Sequence, residues 1–303
     1  MRAFISDYNK LVKLRLTLTV VFSASISFLI GAIQQGEIIW FNWLMLTLGG
    51  FFVTGAANGF NEIIEKDTDK LTRRTMDRPL PAGRMTTGQA LVLSLLMAIG
   101  GSLILVQLNF LTGLLSVFSI FLYAFVYTPL KQKSPIAVLV GAFPGALPPL
   151  IGYYASFQSA GFGFAYAEVS EAAIIITPFV LFAIQFVWQF PHFWAIAWVA
   201  DEDYKKAGIR LLPTTKKDKA SSIVLFISCV LMMPVGFLPY YFGFGGLSFT
   251  GVSLIGGAMF AWYGYKHLQE MSDVSAKKIM YISFAYLPVT QLVLLFDFSR
   301  FSA

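Results

Sequence analysis

The chain has 303 residues, 57% of them hydrophobic and 13% charged, with a mean hydropathy of +0.70 and a net charge of +6. Its 30 Phe and its repeated apolar runs of about 18 or more residues exceed what a soluble core can hide, which excludes a soluble protein and leaves an all-α, polytopic membrane protein. The length accommodates roughly nine spans of about 20 residues with short loops, so residues 1–303 read as a single integral domain in the lipid bilayer.

The first apolar run is full length and has no cleavage site behind a short core, so it reads as a retained span. Predicted helices occupy residues 16–33 and 38–60, joined by the polar turn Gln34-Gln35-Gly36-Glu37. A dense run of acids and bases follows at 61–84. Helices at 90–108 and 110–127 are separated by so little that they form a tight antiparallel pair. Tyr127-Thr128-Pro129-Leu130-Lys131-Gln132-Lys133 ends that pair, and a fifth helix starts near Pro135. Its Gly141, Pro144, Gly145, Pro148, Pro149 and Gly152 are tolerable in a bilayer only where backbone is buried in protein or lines a cavity, so this helix is expected to wall a pocket. A Gly/Phe-rich loop with Glu168 and Glu171 leads to a helix at 173–199, a second polar stretch at 201–219, and helices at 223–241, 247–265 and 279–296. Cys229, the one cysteine, lies in an apolar run and excludes an intramolecular disulfide or a cysteine-based zinc cluster.

Of the 22 Lys and Arg, 21 fall in the N-terminal segment or in the loops after the second, fourth, sixth and eighth helices; only Arg300 lies on the other side. The positive-inside rule then places the N-terminus in the cytoplasm and the C-terminus outside the inner membrane, with an odd number of spans, nine being the simplest. The positive charge is a topology signal and implies no nucleic-acid partner. A faint repeat pairs Asp67/Asp69 with Asp201/Asp203, each followed by Arg-x-Leu-Pro at 78–81 and 210–213. It divides the chain into halves of about 1–134 and 135–270 plus a ninth helix, and suggests a site shared at their interface.

If the second helix continues through the first polar stretch, Asn61, Glu65 and Asp69 share one face, drifting by about 40° per step, and Asp67 points elsewhere. A row of oxygens at a helix end suits Mg²⁺, which takes one or two carboxylates plus phosphate oxygens and retained water. Arg73, Arg74 and Arg78 beside it can grip a diphosphate in forked pairs. The plain alternative is a solvated loop whose bases meet anionic headgroups. The second stretch adds Asp201, Glu202, Asp203, Tyr204 and Lys205. Two acidic clusters on one face invite a two-metal diphosphate site, against a simple surface pair of Asp201 with Lys205.

Asn61-Glu62-x-x-Glu65-x-x-x-Asp69 resembles the first aspartate-rich motif of the UbiA superfamily of intramembrane prenyltransferases, and Asp201 to Lys205 sits where the second motif belongs. Further segments resemble the branch of that superfamily that farnesylates heme. These are Arg73-Arg74-Thr75 through Arg78-Pro79-Leu80, Tyr127-Thr128-Pro129-Leu130-Lys131, Gly141-Ala142-x-Pro144-Gly145, Pro191-His192-Phe193-Trp194 and Asp203-Tyr204-x-x-Ala207-Gly208-Ile209. They span almost the whole chain in family order. Two departures stand out: Glu65 replaces the usual Asp with a longer arm, and the second motif reads Asp-Glu-Asp-Tyr-Lys in place of Asp-x-x-x-Asp.

The resemblance implies nine transmembrane helices around a central cavity, Mg²⁺ as cofactor, and farnesyl diphosphate and heme B as substrates. It further implies heme O as product and a downstream heme A synthase or terminal-oxidase assembly as recipient. It places metal at Asn61, Glu65 and Asp69 and at Asp201, Asp203 or both, Asp203 being favoured as the acid of the Asp-Tyr-x-x-Ala-Gly segment. Arg73, Arg74, Arg78, Lys131, Tyr204 and Lys205 become candidate ligand-binding residues. His192, ionisable within a span, reads either as a heme contact, imidazole being a good axial ligand, or as a hydrogen-bonded interior histidine. His267 reads as a surface residue. A prenyltransferase acting on a quinone precursor needs neither His192 nor the Gly/Pro set, and a transporter or cation channel would carry its acids mid-span instead of at helix ends.

Overall fold

The computed structural model describes residues 2–157, 159–160, 163–164 and 169–301, so Glu168 lies outside the described residues. Helix α1 (Arg2–Leu11) leads into α2 (Leu14–Gln34), α3 (Trp40–Asp69), α4 (Thr87–Leu108) and α5 (Phe110–Ile120). The last continues through a π-helix (Phe121–Tyr127) into a single turn, α6 (Thr128–Leu130). Then follow α7 (Ala137–Ala155), a two-strand ribbon of β1 (Ser159–Ala160) and β2 (Gly163–Phe164), and α8 (Glu171–Val199). The short α9 (Asp201–Lys206) precedes α10 (Lys219–Tyr241), α11 (Leu247–Glu270) and α12 (Asp273–Phe301). Among the described residues, eight helical segments are long and apolar enough to cross a membrane. The remaining expected span, α11, has 24 residues, but its Gly, Ser and Thr content keeps it outside that set; it packs between α10 and α12.

The chain ends of these helices depart from the sequence reading where polar side chains find buried partners. α3 runs past residue 60 to Asp69, and Asn61, Glu62, Glu65 and Asp69 on that extension are all buried. α7 remains helical through Pro144, Pro148 and Pro149. Pro149 has no N–H for the Gly145 carbonyl four residues back, and Gln185 Nε2 of α8 donates to that carbonyl at 2.8 Å instead. Gln189 Nε2 adds a donor to Ala142 O at 2.9 Å, a carbonyl whose partner four residues on, Ala146, still has its N–H. The α7 glycines are sites of close approach. A Cβ at Gly141 would meet the Tyr127 ring, one at Gly145 the Gln189 amide, and one at Gly152 the Ala24 carbonyl of α2. α7 is therefore buried between α2 and α8, the first of the two environments that its prolines allow.

α12 packs on both α8 and α2 and closes the bundle. A polar knot marks the closure: Ser23 Oγ donates to Gln185 Oε1 at 2.7 Å, and Gln291 Nε2 donates to Ser23 Oγ at 2.7 Å and to Gln185 Oε1 at 3.1 Å. The basic segments gather at one end of the bundle. Lys10 pairs with Asp77 at 2.6 Å, Arg84 with Asp7 at 2.8 Å, Lys217 with Asp273 at 2.6 Å, and Arg210 N donates to Lys131 O at 2.9 Å. Exposed Leu96, Ile99 and Leu103 on α4, with Phe121 and Phe125, give the outer face its oily surface.

Gly152→Ala forces either α7 or α2 to move, and overpacking of this kind costs about 1–3 kcal/mol. It should lower the melting temperature in detergent by several degrees. Gly100→Ala on α4, where an added Cβ meets nothing, should leave the melting temperature unchanged or slightly raised.

Candidate functional site

The site grows from the last three turns of α3. Helical spacing puts Asn61, Glu65 and Asp69 on one buried face, while Asp67 points outward and pairs with exposed Lys70 at 3.1 Å. Each of the three buried residues meets a base from a different part of the chain. Lys13 Nζ donates to Asn61 Oδ1 at 2.5 Å, the Lys131 ammonium contacts Glu65 Oε1, and Arg78 Nη1 donates to Asp69 Oδ2 at 2.6 Å. Asn61 Nδ2 then donates to Glu65 Oε2 at 3.0 Å and to Thr128 Oγ1 at 2.9 Å, tying the row to the α6 turn. Behind the row, fully buried Glu62 accepts from Leu80 N at 3.2 Å, and Thr75 Oγ1 donates to Asp69 O at 2.8 Å; together they dock the 70–86 loop on α3.

Local geometry delivers these groups. Lys13 sits between α1 and α2 with φ 49°, a left-handed backbone uncommon for a side chain of this kind, and that turn lets its ammonium reach Asn61. On the other side, the π-turn before Pro129 widens the helix, and Thr128 Oγ1 donates back to Tyr123 O at 2.8 Å. Tyr123 and Tyr127 stack at 5.5 Å between ring centres, and the Lys131 ammonium lies 5.7 Å from the Tyr127 ring.

The second polar stretch contributes a tyrosine more directly than its acids. Burial raises the Tyr204 phenol above its ordinary value, Arg74 pulls it back, Glu65 pushes it up and Arg78 lowers it again, so this ring stands within the field of the α3 site. Asp201 pairs with Lys205 at 2.7 Å and Asp203 with Lys206 at 3.7 Å, both along their own short helix. Among the described residues, no ion pair or hydrogen bond links Asp201 or Asp203 to the α3 row. The pair of Asp201 with Lys205, the plain alternative to a second metal site, is present, with Lys205 largely exposed. Arg73 and Arg74 are exposed and form no ion pair among the described residues. His192 lies lower in the bundle between α8 and α12, with Nδ1 2.8 Å from Ser283 Oγ. His267, expected at the surface, is fully buried against Trp198 and Ser275, because the α11–α12 turn folds over it.

The electrostatics are those of a site already neutralised from within. Burial pushes the Lys13 ammonium down to about 7; the Arg78 and Lys131 charges add to the fall while Glu65 and Asp69 oppose it. Burial likewise lowers Lys131, with Glu65 opposing. No cluster of three or more His, Cys, Asp and Glu side chains forms a metal site among the described residues. The donor set on α3 is nonetheless one amide and two carboxylate oxygens on one face, the hard-oxygen chemistry that suits Mg²⁺. A divalent ion would take over the oxygens now held by Lys13, Lys131 and Arg78, leaving those three bases to meet an anion.

The sequence profile of the UbiA prenyltransferase family matches residues 20–287. The chain is 44% identical over 292 residues to the protoheme IX farnesyltransferase of Cytophaga hutchinsonii, covering 96% of both proteins. Among solved structures it resembles digeranylgeranylglyceryl phosphate synthase, with a TM-score of 0.78 and 19% identity over 98% of this chain and 99% of that one. It also resembles a UbiA homolog from Archaeoglobus fulgidus bound to GPP and Mg²⁺, with a TM-score of 0.64 and 14% identity over 95% of this chain and 99% of that one. At those identities the structural likeness concerns the fold.

Removing one member of a buried pair strands the other charge. Arg78→Met alone should therefore destabilise the protein more than Arg78→Met with Asp69→Asn, with a coupling of about 1–3 kcal/mol in a double-mutant cycle read from thermal unfolding in detergent.

Proposed function

The chain belongs to the UbiA prenyltransferase family, and on that premise we propose that it transfers the farnesyl group of farnesyl diphosphate to a vinyl group of heme B, giving heme O. The observation that carries the diphosphate half of this reading is the buried row of Asn61, Glu65 and Asp69, each matched to its own base. The acceptor follows from the relative in Cytophaga hutchinsonii, whose length this chain matches almost completely.

Asn61, Glu65 and Asp69 would hold Mg²⁺, which when bound would supply Lewis-acid stabilisation of the departing diphosphate. Arg78, Lys131 and Lys13, with Arg73 and Arg74 at the rim, orient the diphosphate and offset its charge as the C–O bond breaks and the electron pair leaves with it. Tyr123, Tyr127 and Tyr204 present ring faces to the allylic cation and keep water away from it. The terminal vinyl carbon of heme attacks the farnesyl C1. Water then captures the cation left beside the macrocycle and loses a proton, leaving a hydroxyethylfarnesyl side chain. Asp203, with Asp201, would hold a second metal through the carboxylates that now face Lys206 and Lys205. The basic end of the bundle faces the cytoplasm in the cell membrane, the two halves 1–134 and 135–270 share the site, and the product passes to a heme A synthase or terminal-oxidase assembly.

Membranes incubated with heme B, farnesyl diphosphate and Mg²⁺ should yield a more hydrophobic heme by chromatography, lost on chelation and restored by excess Mg²⁺. Product from a phenolic acceptor and none from heme would move the assignment to quinone-precursor chemistry. Asp69→Asn should reduce turnover by about 100-fold or more while the protein stays folded in the membrane. Near-full turnover in that variant would remove Asp69 from the site.

A further inference from the structure

His192 is an imidazole whose two nitrogens are treated differently by the fold. The ring stacks on Trp188, one turn earlier on α8, at 4.5 Å between ring centres and 18° between planes. Phe193 and, from α12, Phe284 present their edges at 5.4 and 5.2 Å. Nδ1 lies 2.8 Å from the Oγ of Ser283, itself fully buried on α12.

The direction of that hydrogen bond is fixed by what Ser283 does next. Its hydroxyl carries one hydrogen, and that hydrogen goes to the Met280 carbonyl at 2.5 Å. Oγ can then only accept, so Nδ1 carries the imidazole proton. Trp188 Nε1 donates to the Ser283 carbonyl at 2.9 Å, locking the same turn of α12 against the same turn of α8. The lone pair of the neutral ring is therefore on Nε2. Nε2 has no hydrogen-bond partner among the described residues, and the ring is only half-buried. A histidine serving packing alone would have both nitrogens satisfied or its free edge sealed. Here the proton-bearing nitrogen is anchored and the basic one is left open, the arrangement by which proteins aim imidazole at a metal.

We propose that His192 Nε2 is an axial ligand to the iron of the heme substrate, with Ser283 as the positioning residue that fixes its tautomer; this rests on the heme-farnesylating reading above. The position suits that role. Phe193, in edge contact with His192, packs against the same buried cluster, which includes Tyr127 and Trp198, as Tyr123 and Tyr204. A macrocycle anchored at His192 thus borders the cluster on which the tyrosines near the diphosphate site also pack, with Trp188 stacked on the imidazole and Phe284 edge-on to it. The ligand holds the iron, and through it the vinyl group, without taking part in bond making.

The test is spectroscopic, on purified full-length protein in detergent titrated with ferric heme B. The wild type should give an absorption and electron-paramagnetic signature of imidazole-ligated heme, distinct from heme in detergent alone. His192→Ala should lose it, with added imidazole restoring it, and should raise the KM for heme about tenfold or more while the KM for farnesyl diphosphate stays put. His192→Cys should shift the signature to that of a thiolate, a gain that misfolding cannot produce. Ser283→Ala should keep the imidazole signature and weaken heme binding about 10–100-fold, the usual cost of losing a partner behind a ligand. An unchanged spectrum in both His192 variants, or turnover of heme by a wild type with no histidine signature, overturns the ligation and leaves the farnesylation reading standing. A wild type that neither binds nor farnesylates heme overturns that reading and this inference together.

Discussion

A carboxylate taken out of water must find a cation or give up its charge, and this constraint organises the functional end of the molecule. Glu65 and Asp69 are buried on α3, and their cations arrive from the turn after α6 and from the loop after α3. Asn61 adds a third base, Lys13, from the segment before α2. Three stretches distant in sequence are drawn onto one helix face because each has a charge or an oxygen to satisfy there. The same groups that hold the site together are those that a diphosphate would recognise, so the structural role of Lys131 and Arg78 coincides with the binding role proposed for them.

A second constraint acts on the backbone. In a bilayer a lost helical hydrogen bond has no water to replace it, and the prolines of α7 would be costly if the helix stood alone. Gln185 and Gln189 on α8 supply donors to α7 carbonyls, and the glycines let α2 and Tyr127 come close enough to seal the rest. The glycine and proline density that looked like a pocket wall in the sequence is the signature of a tightly enclosed helix. Tyr127 gains its position from that closeness, which links the packing of α7 to the aromatic lining of the site.

Helix positions were largely legible because apolar run length alone marks a span, and the α3 row was legible because its oxygens repeat at helical spacing. Arg78 was visible as part of a local charge cluster. Lys13 was not read as a member of the site, since it meets Asn61 from 48 positions away and nothing local marks it; Thr128, quoted only within a family segment, was not read as a partner of Asn61 across 67 positions. Tyr123 and Tyr127 were hidden in an apolar helix, where the π-turn that rotates them leaves no clear periodic trace. The second motif was legible as a place and less so as an orientation: a six-residue helix lets each Asp find a Lys on its own face, while Tyr204 packs on the cluster that includes Tyr127. His267 was misplaced because a polar residue at a basic helix end reads as exposed until the following turn is known to cover it.

The knot of Ser23, Gln185 and Gln291 has a bearing on how the molecule assembles. Ser23 and Gln291 are 268 positions apart, so the helix inserted earliest among the long ones keeps part of its polar surface waiting for nearly the whole of synthesis. Contacts of such sequence separation form late. Until α12 is made, Ser23 and Gln185 lack the Gln291 amide that completes the knot and joins α2 and α8 from that side.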